Sequence, residues 1–111
     1  MQPESARLLR DILDAANRIA GYVSGISRDD FLSRGEVHDA VHWNFAIIGE
    51  ALSQSHKIDP PGAQRISEWR RIIGFRNQLA HGYGVIKNDI TWDIIQTRLP
   101  KLREEVRSIL G

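Results

Sequence analysis

The chain has 111 residues, of which 41% are hydrophobic and 26% charged, and its formal net charge is +1. This composition is typical of one soluble globular domain with a single modest core. The absence of cysteine excludes disulfides and zinc sites built on thiolates. The first residues lack the basic and apolar regions of a signal peptide, and no apolar run approaches bilayer length, so we expect a cytoplasmic protein.

The spacing of apolar residues predicts helices nearly throughout, beginning with one over roughly 4–23. Gly25 ends this helix. Ser27-Arg28-Asp29-Asp30 then resembles a capping box, with a serine cap and a carboxylate three residues later. A second long helix is predicted over about 36–55. Its inward stripe consists of Val37, Val41, Phe45, Ile48 and Leu52.

The segment from His56 to Gly62 contains two adjacent prolines and is predicted to be a connection. A third helix is predicted from about 63 to 82, because apolar residues again recur at helical spacing. Gly82 and Gly84 would end it, since glycine accepts the left-handed conformation found after helices. The residues predicted to face inward are Ile66, Trp69, Ile72 or Ile73, Phe75 and Leu79.

Two further helices are predicted in the last quarter of the chain. Asn88 or Asp89 would cap the first of them, and Pro100 marks a break or the first turn of the second. The side chains expected to face inward from the first are Ile90, Ile94 and Ile95. No stretch alternates strictly enough to predict a strand. We therefore expect an all-α fold, a single-domain antiparallel bundle of four to five helices over residues 1–111.

His38 and His42 would share one face of the second long helix, at the spacing that metalloproteases use to hold zinc. That motif needs a glutamate as general base, whereas Asp39 is one methylene shorter. No third ligand stands at helical spacing nearby. We therefore interpret both as surface or packing histidines and expect no metal site.

Positive charge is concentrated around Gly74-Phe75-Arg76-Asn77-Gln78-Leu79-Ala80-His81-Gly82-Tyr83-Gly84. Residues 57–87 hold 6 Lys or Arg and 2 Asp or Glu, whereas residues 1–56 hold 5 and 8. This distribution favours an anionic partner near the stretch, although a solvated basic face explains the charge equally well.

The polar residues of this stretch suit the cleavage of RNA by its own 2′-hydroxyl. Arg76 offers a planar fork of donors to phosphate, His81 can exchange a proton near neutral pH, and Asn77 can orient the histidine or donate to an oxyanion. Asn77 and His81 share a helical face, but Arg76 and His81 are about 140° apart on an ideal helix. They would converge if the helix unwound at Gly82, or if two copies of it faced each other in a dimer.

The stretch resembles the R-x-x-x-x-H-x-Y signature of HepT-like proteins, a branch of the HEPN (higher eukaryotes and prokaryotes nucleotide-binding) domains. Arg76, His81 and Tyr83 fall on the three fixed positions, and Asn77 is the polar residue usual after the arginine. The similarity covers essentially the whole chain. It includes Ile47-Ile48-Gly49-Glu50-Ala51, Trp69 ahead of Ile73-Gly74-Phe75, and Trp92.

The resemblance implies a homodimer in which Arg76 and His81 of both protomers line one cleft. It implies a metal-independent ribonuclease toxin of a type VII toxin–antitoxin pair, with Arg76 and His81 catalytic, Asn77 supporting and no cofactor. The antitoxin would be an MntA-like minimal nucleotidyltransferase. It would transfer AMP from ATP onto Tyr83, where the bulky charged nucleotide blocks the cleft.

Two other interpretations remain open. The chain could be a non-catalytic, nucleotide-binding helical partner subunit of a nucleotidyltransferase, with Arg76 and His81 binding nucleotide phosphates. It could also be a helical dimer without chemistry, in which both residues complement the macrodipole of their helix and Tyr83 packs against Phe75. Degradation of RNA by the isolated protein separates the first interpretation from these two.

Overall fold

A computed structural model describes residues 1–81 and 87–111, and over these residues the chain forms helices and no strand. This confirms the predicted all-α fold. Within the described ranges, no helix is long and apolar enough to span a bilayer. The helices are α1 (Pro3–Tyr22), α2 (Arg28–Ser33), α3 (Gly35–Ile58), α4 (Pro60–Ala63), α5 (Trp69–His81), α6 (Asn88–Thr97) and α7 (Leu99–Leu110).

The bundle is organised around α3, which packs against both α1 and α5, while α7 packs against α1 and α6. The predicted stripe of α3 is buried, with Val41, Ile48 and Leu52 fully removed from solvent. Burial of each such side chain stabilises the fold by about 1.5–3 kcal/mol. The face of α1 that completes this core comprises Leu8, Leu9, Ile12, Ala15, Ala16 and Ile19.

The predicted capping box forms at the start of α2. The Asp30 N–H donates to Ser27 Oγ at 3.1 Å, and the Ser27 N–H donates to Asp30 Oδ2 at 3.3 Å. Two backbone donors that helix formation would leave without partners are thereby satisfied. The short helix that follows buries Phe31 completely and connects α1 to α3.

The end of the second long helix and the start of the third differ from the predicted boundaries. α3 continues to Ile58, and Pro60 opens the short helix α4 inside the predicted connection. The third predicted helix begins at Trp69 rather than at 63. Ahead of it, Glu68 adopts a φ of 59°, and the Ser67 N–H donates to the carboxylate of Glu105 in α7 at 3.2 Å. The chain therefore leaves the helical path before α5.

The predictions for the start of α6 were wrong in two respects. Lys87 is the cap residue and its side chain makes no capping hydrogen bond, while Asn88 and Asp89 are already helical, although Asp89 Oδ1 accepts the Ile90 N–H at 2.9 Å. Ile90 is 51% exposed, because the buried face of α6 centres on Thr91 and Ile95. Consecutive helical residues are about 100° apart, so Ile90 is turned away from that face. The predicted helix stop at residues 82 and 84 lies outside the described residues.

Candidate active site

Arg76 lies in α5 where this helix closely approaches α3, and a glycine makes the approach possible. A Cβ atom placed on Gly49 would lie 2.2 Å from Arg76 Cβ and 3.4 Å from the Ile72 carbonyl oxygen. Carbon atoms in contact normally stand about 3.5–4.0 Å apart, so only glycine fits here. Gly49 thus brings the backbone of α5 close to α3 and fixes where the Arg76 side chain starts.

Two acceptors hold the guanidinium group of Arg76. Its Nη2 donates to Glu50 Oε2 at 2.5 Å, and its Nη1 donates to Asn77 Oδ1 at 3.0 Å. The ion pair is half-buried, with 34% of the Arg76 side chain and 46% of the Glu50 side chain exposed. A guanidinium group carries five N–H donors, so roughly three are free of partners among the described residues. These donors are available to a ligand with phosphate oxygens.

Arg76 and Glu50 border a groove of about 890 Å³ between α1, α3 and α5. Its walls combine charged side chains with apolar ones, and Trp43 of α3 is 70% exposed. A groove of this volume has room for a nucleotide-sized ligand. The other residues lining it include Arg7, Asp11, His38, Asp39, His42, Ala46, Ile47, Gln54, Leu79 and Ala80.

His81 is the last residue of α5 and is exposed. Since the helix is continuous from Arg76 to His81, the two residues are about 140° apart around its axis and about 7.5 Å apart along it. The helix therefore does not unwind between them to bring them together. Asn77, the predicted supporting residue, is exposed and binds Arg76. Tyr83 lies outside the described residues.

His38 and His42 each bind a neighbouring helix. The ring of His38 contacts the Phe31 carbonyl oxygen and packs against the Phe31 ring, and His42 Nε2 lies 3.1 Å from Thr91 Oγ1. Burial lowers the pKa of His42, and the nearby His38 adds to this effect. These contacts agree with the interpretation of both as packing histidines. Among the described residues, no cluster of three or more His, Asp or Glu side chains is arranged to hold a metal ion.

Reasoning from the sequence missed three residues of this site: Gly49, Glu50 and Trp43. The segment Ile47-Ile48-Gly49-Glu50-Ala51 was similar to the family pattern, yet no role followed from that similarity. A glycine in the middle of a long helix is itself a signal of close packing, because it destabilises a helix by about 1 kcal/mol relative to alanine. Its partner, however, is 27 positions away in the sequence.

Comparison with known proteins places the chain in a family. The sequence model of the family described as Ribonuclease HepT-like matches residues 12–109. A protein of Methanocaldococcus jannaschii named "Putative RNase MJ1380" is 30% identical over 103 residues, which cover 91% of this chain and 92% of the relative. "Putative RNase TTE0752" of Caldanaerobacter subterraneus is 30% identical over 102 residues, covering 92% of this chain and 90% of the relative. No solved structure matches significantly. The chain belongs to the HepT-like ribonuclease family.

Proposed function

We propose that this protein is a ribonuclease that cleaves RNA without a metal ion, using Arg76 and His81. The family match and the two relatives named as RNases support ribonuclease activity. The assignment of these residues rests on the contacts of the Arg76 side chain. Glu50 and Asn77 fix its guanidinium group at the edge of a nucleotide-sized groove, and donors remain for a phosphate.

In this reaction, the 2′-hydroxyl of a ribose attacks the adjacent phosphorus and loses its proton. The bond from phosphorus to the 5′-oxygen breaks, and that oxygen takes up a proton. Arg76 stabilises the negative charge that accumulates on the phosphoryl oxygens. His81 transfers the protons, because imidazole is the side chain best suited to acid and base catalysis near neutral pH.

The direct test is incubation of the purified protein with total RNA in EDTA, alongside Arg76→Ala and His81→Ala variants. We expect cleavage by the wild-type protein and a loss of about 10²–10⁴-fold in each variant, as is typical when a positioned acid or base is removed. Circular dichroism checks that both variants remain helical. Retained cleavage by both folded variants would exclude this assignment. Absence of cleavage by the wild type together with binding of nucleotides would favour the non-catalytic partner subunit instead.

The functional unit in this proposal is a two-fold dimer. Arg76 and His81 face different directions on one continuous helix, so one protomer alone forms a poor site. Two antiparallel copies of α5 can bring Arg76 of one protomer towards His81 of its partner. The exposed Trp43 and the half-buried Ile47 and Leu79 border the same groove, and their apolar area favours burial against a second copy.

A charge placed on this face tests the dimer. We expect Trp43→Lys to convert the dimer to monomer in light scattering and to abolish RNA cleavage, because it removes the apolar indole area that the interface would bury and adds an ammonium group that is costly to desolvate. Tyr22→Lys is the matched control, since Tyr22 is an exposed aromatic residue, 42% accessible, that does not line the groove. A fully active wild-type monomer at assay concentration contradicts the shared site.

The proposal extends to regulation as a type VII toxin silenced by an MntA-like nucleotidyltransferase. The phenol oxygen of Tyr83 would attack the α-phosphorus of ATP, losing its proton and releasing pyrophosphate. The tyrosyl-AMP product adds roughly one negative charge two residues after His81, where Arg76 can pair with it in place of RNA. The support is the motif position of Tyr83 and the positive charge of residues 57–87.

Tyr83→Phe separates toxicity from silencing. The variant should arrest growth nearly as the wild type does, yet escape neutralisation by the co-expressed cognate nucleotidyltransferase. Mass spectrometry of the wild-type protein from the same co-expression should find AMP on Tyr83. Silencing of Tyr83→Phe through the partner's catalysis, or AMP found only elsewhere, would show that another residue is the switch.

A further inference from the structure

A carboxylate stands beside the phosphate-binding arginine, where it is electrostatically unfavourable for an enzyme that binds RNA. Glu50 follows Gly49 in α3, so the close approach of α3 and α5 also places its carboxylate against Arg76. The groove already contains Asp11 and Asp39. A further negative charge repels RNA phosphates, and nothing in the packing of the core requires it, because Glu50 is half-exposed.

The geometry of the pair explains what the carboxylate does. Arg76 is the residue of α5 whose side chain lies closest to Gly49 among the described residues, and its guanidinium group binds Glu50. A free arginine side chain samples many rotamers and loses about 2 kcal/mol of conformational entropy when it is fixed. Glu50 holds Nη2 and Asn77 holds Nη1, so the plane of the guanidinium group is set before a ligand arrives.

We propose that Glu50 is a positioning residue for the cleavage reaction, which orients Arg76 towards the scissile phosphate at the expense of affinity for RNA. This inference rests on the ribonuclease function proposed above. It assigns two separable effects to one carboxylate: correct orientation of Arg76 accelerates the chemical step, and negative charge weakens the binding of the substrate. Removing the carboxylate should therefore lower both kcat and KM.

Glu50→Gln and Glu50→Ala measure the two effects. Misplacing a catalytic group by about 1 Å can cost 10²-fold in rate, so we expect kcat to fall by up to about 10²-fold in Glu50→Ala. Glu50→Gln keeps a carbonyl acceptor for Arg76 and should retain more of the rate. Both variants should bind RNA about two- to five-fold more tightly, the size expected from one partly exposed charge. Binding is measured by fluorescence anisotropy in a His81→Ala background, where the RNA stays intact.

Asp39→Asn is the matched control. Asp39 lines the same groove on the same helix, and it has no hydrogen bond to Arg76. Its replacement removes one negative charge from the groove without changing the contacts of the guanidinium group, so RNA binding should tighten by a similar factor and kcat should fall far less than in Glu50→Ala. A general electrostatic effect would instead change Asp39→Asn and Glu50→Gln alike.

The outcomes distinguish this inference from the ribonuclease proposal. If the wild type cleaves RNA, Arg76→Ala does not, and both Glu50 variants keep the wild-type kcat, then Glu50 does not position Arg76 and the ribonuclease proposal stands. If the Glu50 variants lose activity with weaker RNA binding, the carboxylate contributes to the substrate site in another way and the inference is wrong. If the wild type and Arg76→Ala are equally inactive, the ribonuclease proposal fails and this inference fails with it.

Discussion

Replacing Gly49 with alanine inserts a methyl group where α3 and α5 nearly touch. The new carbon would lie 2.2 Å from Arg76 Cβ and 2.7 Å from Arg76 Cγ. The shortfall from normal contact is more than about 1 Å. The nearest atom is attached directly to the backbone of α5, so a rotamer change cannot relieve the clash and the helices must separate.

The cost of such overpacking is about 1–3 kcal/mol, and the better helix propensity of alanine offsets up to about 1 kcal/mol of it. With an unfolding entropy of about 2.1 cal/mol/K per residue, each kcal/mol shifts the Tm of a chain this long by about 4 °C. Because no rotamer change relieves a clash with Arg76 Cβ, the cost should lie in the upper part of this range, at about 2–3 kcal/mol. The helix propensity of alanine leaves a net loss of about 1–2 kcal/mol, so we expect Gly49→Ala to lower the Tm by about 4–8 °C. The displacement of Arg76 should also reduce RNA cleavage at temperatures where the variant is fully folded.

Scanning calorimetry at fixed protein concentration measures the shift. Gly74→Ala is the matched control, because Gly74 lies within α5 and a Cβ there would meet no atom within 4 Å. This control should be as stable as the wild type or more stable by about 0.5–1 kcal/mol. A Gly49→Ala protein that melts at or above the wild-type Tm would refute the close approach of the two helices.

Two further predictions concern local interactions that hold the bundle together. Burial lowers the pKa of His42, so below about pH 6.5 the unfolded chain binds more protons than the folded one and the free energy of unfolding falls as the pH falls. Urea unfolding from about pH 7.5 to 5.5 should show this decrease, and the decrease should be smaller in His42→Gln. Ser27→Ala removes the acceptor of the Asp30 N–H and should cost about 1 kcal/mol, or about 4 °C in Tm, whereas an unchanged Tm would mean that the capping box does not stabilise α2.

Features that depend on neighbouring residues could be predicted from the sequence. The capping box joins Ser27 and Asp30, which are three positions apart, so a pattern of four residues is enough to predict it. The stripe of α3 was also predictable, because one helix face recurs every three to four residues. The interruption at Pro60, by contrast, is shorter than the predicted connection. Pro60 disfavours the helical conformation at the residue before it, so α3 continues to Ile58 and Asp59 departs from the helix.

Features that depend on contacts between distant residues could not be predicted. Ile66 continues a helical pattern, yet the bond from Ser67 to Glu105 and the positive φ of Glu68 delay the start of α5. The same limit applies to the candidate site. The motif marked Arg76, but its acceptor Glu50 lies 26 positions earlier, and only the packing of α5 on α3 reveals the pair.

In the proposed dimer, Arg76 of one protomer and His81 of its partner form one RNA-cleaving site. Arg76→Ala and His81→Ala proteins, unfolded and refolded together in equal amounts, test it most directly. Random pairing makes about half of the dimers mixed, and each mixed dimer has one of its two shared sites intact. RNA cleavage in EDTA should therefore recover to about a quarter of that of wild-type protein refolded in parallel. Cleavage no greater than that of either variant alone, with the wild-type sample active, would contradict it.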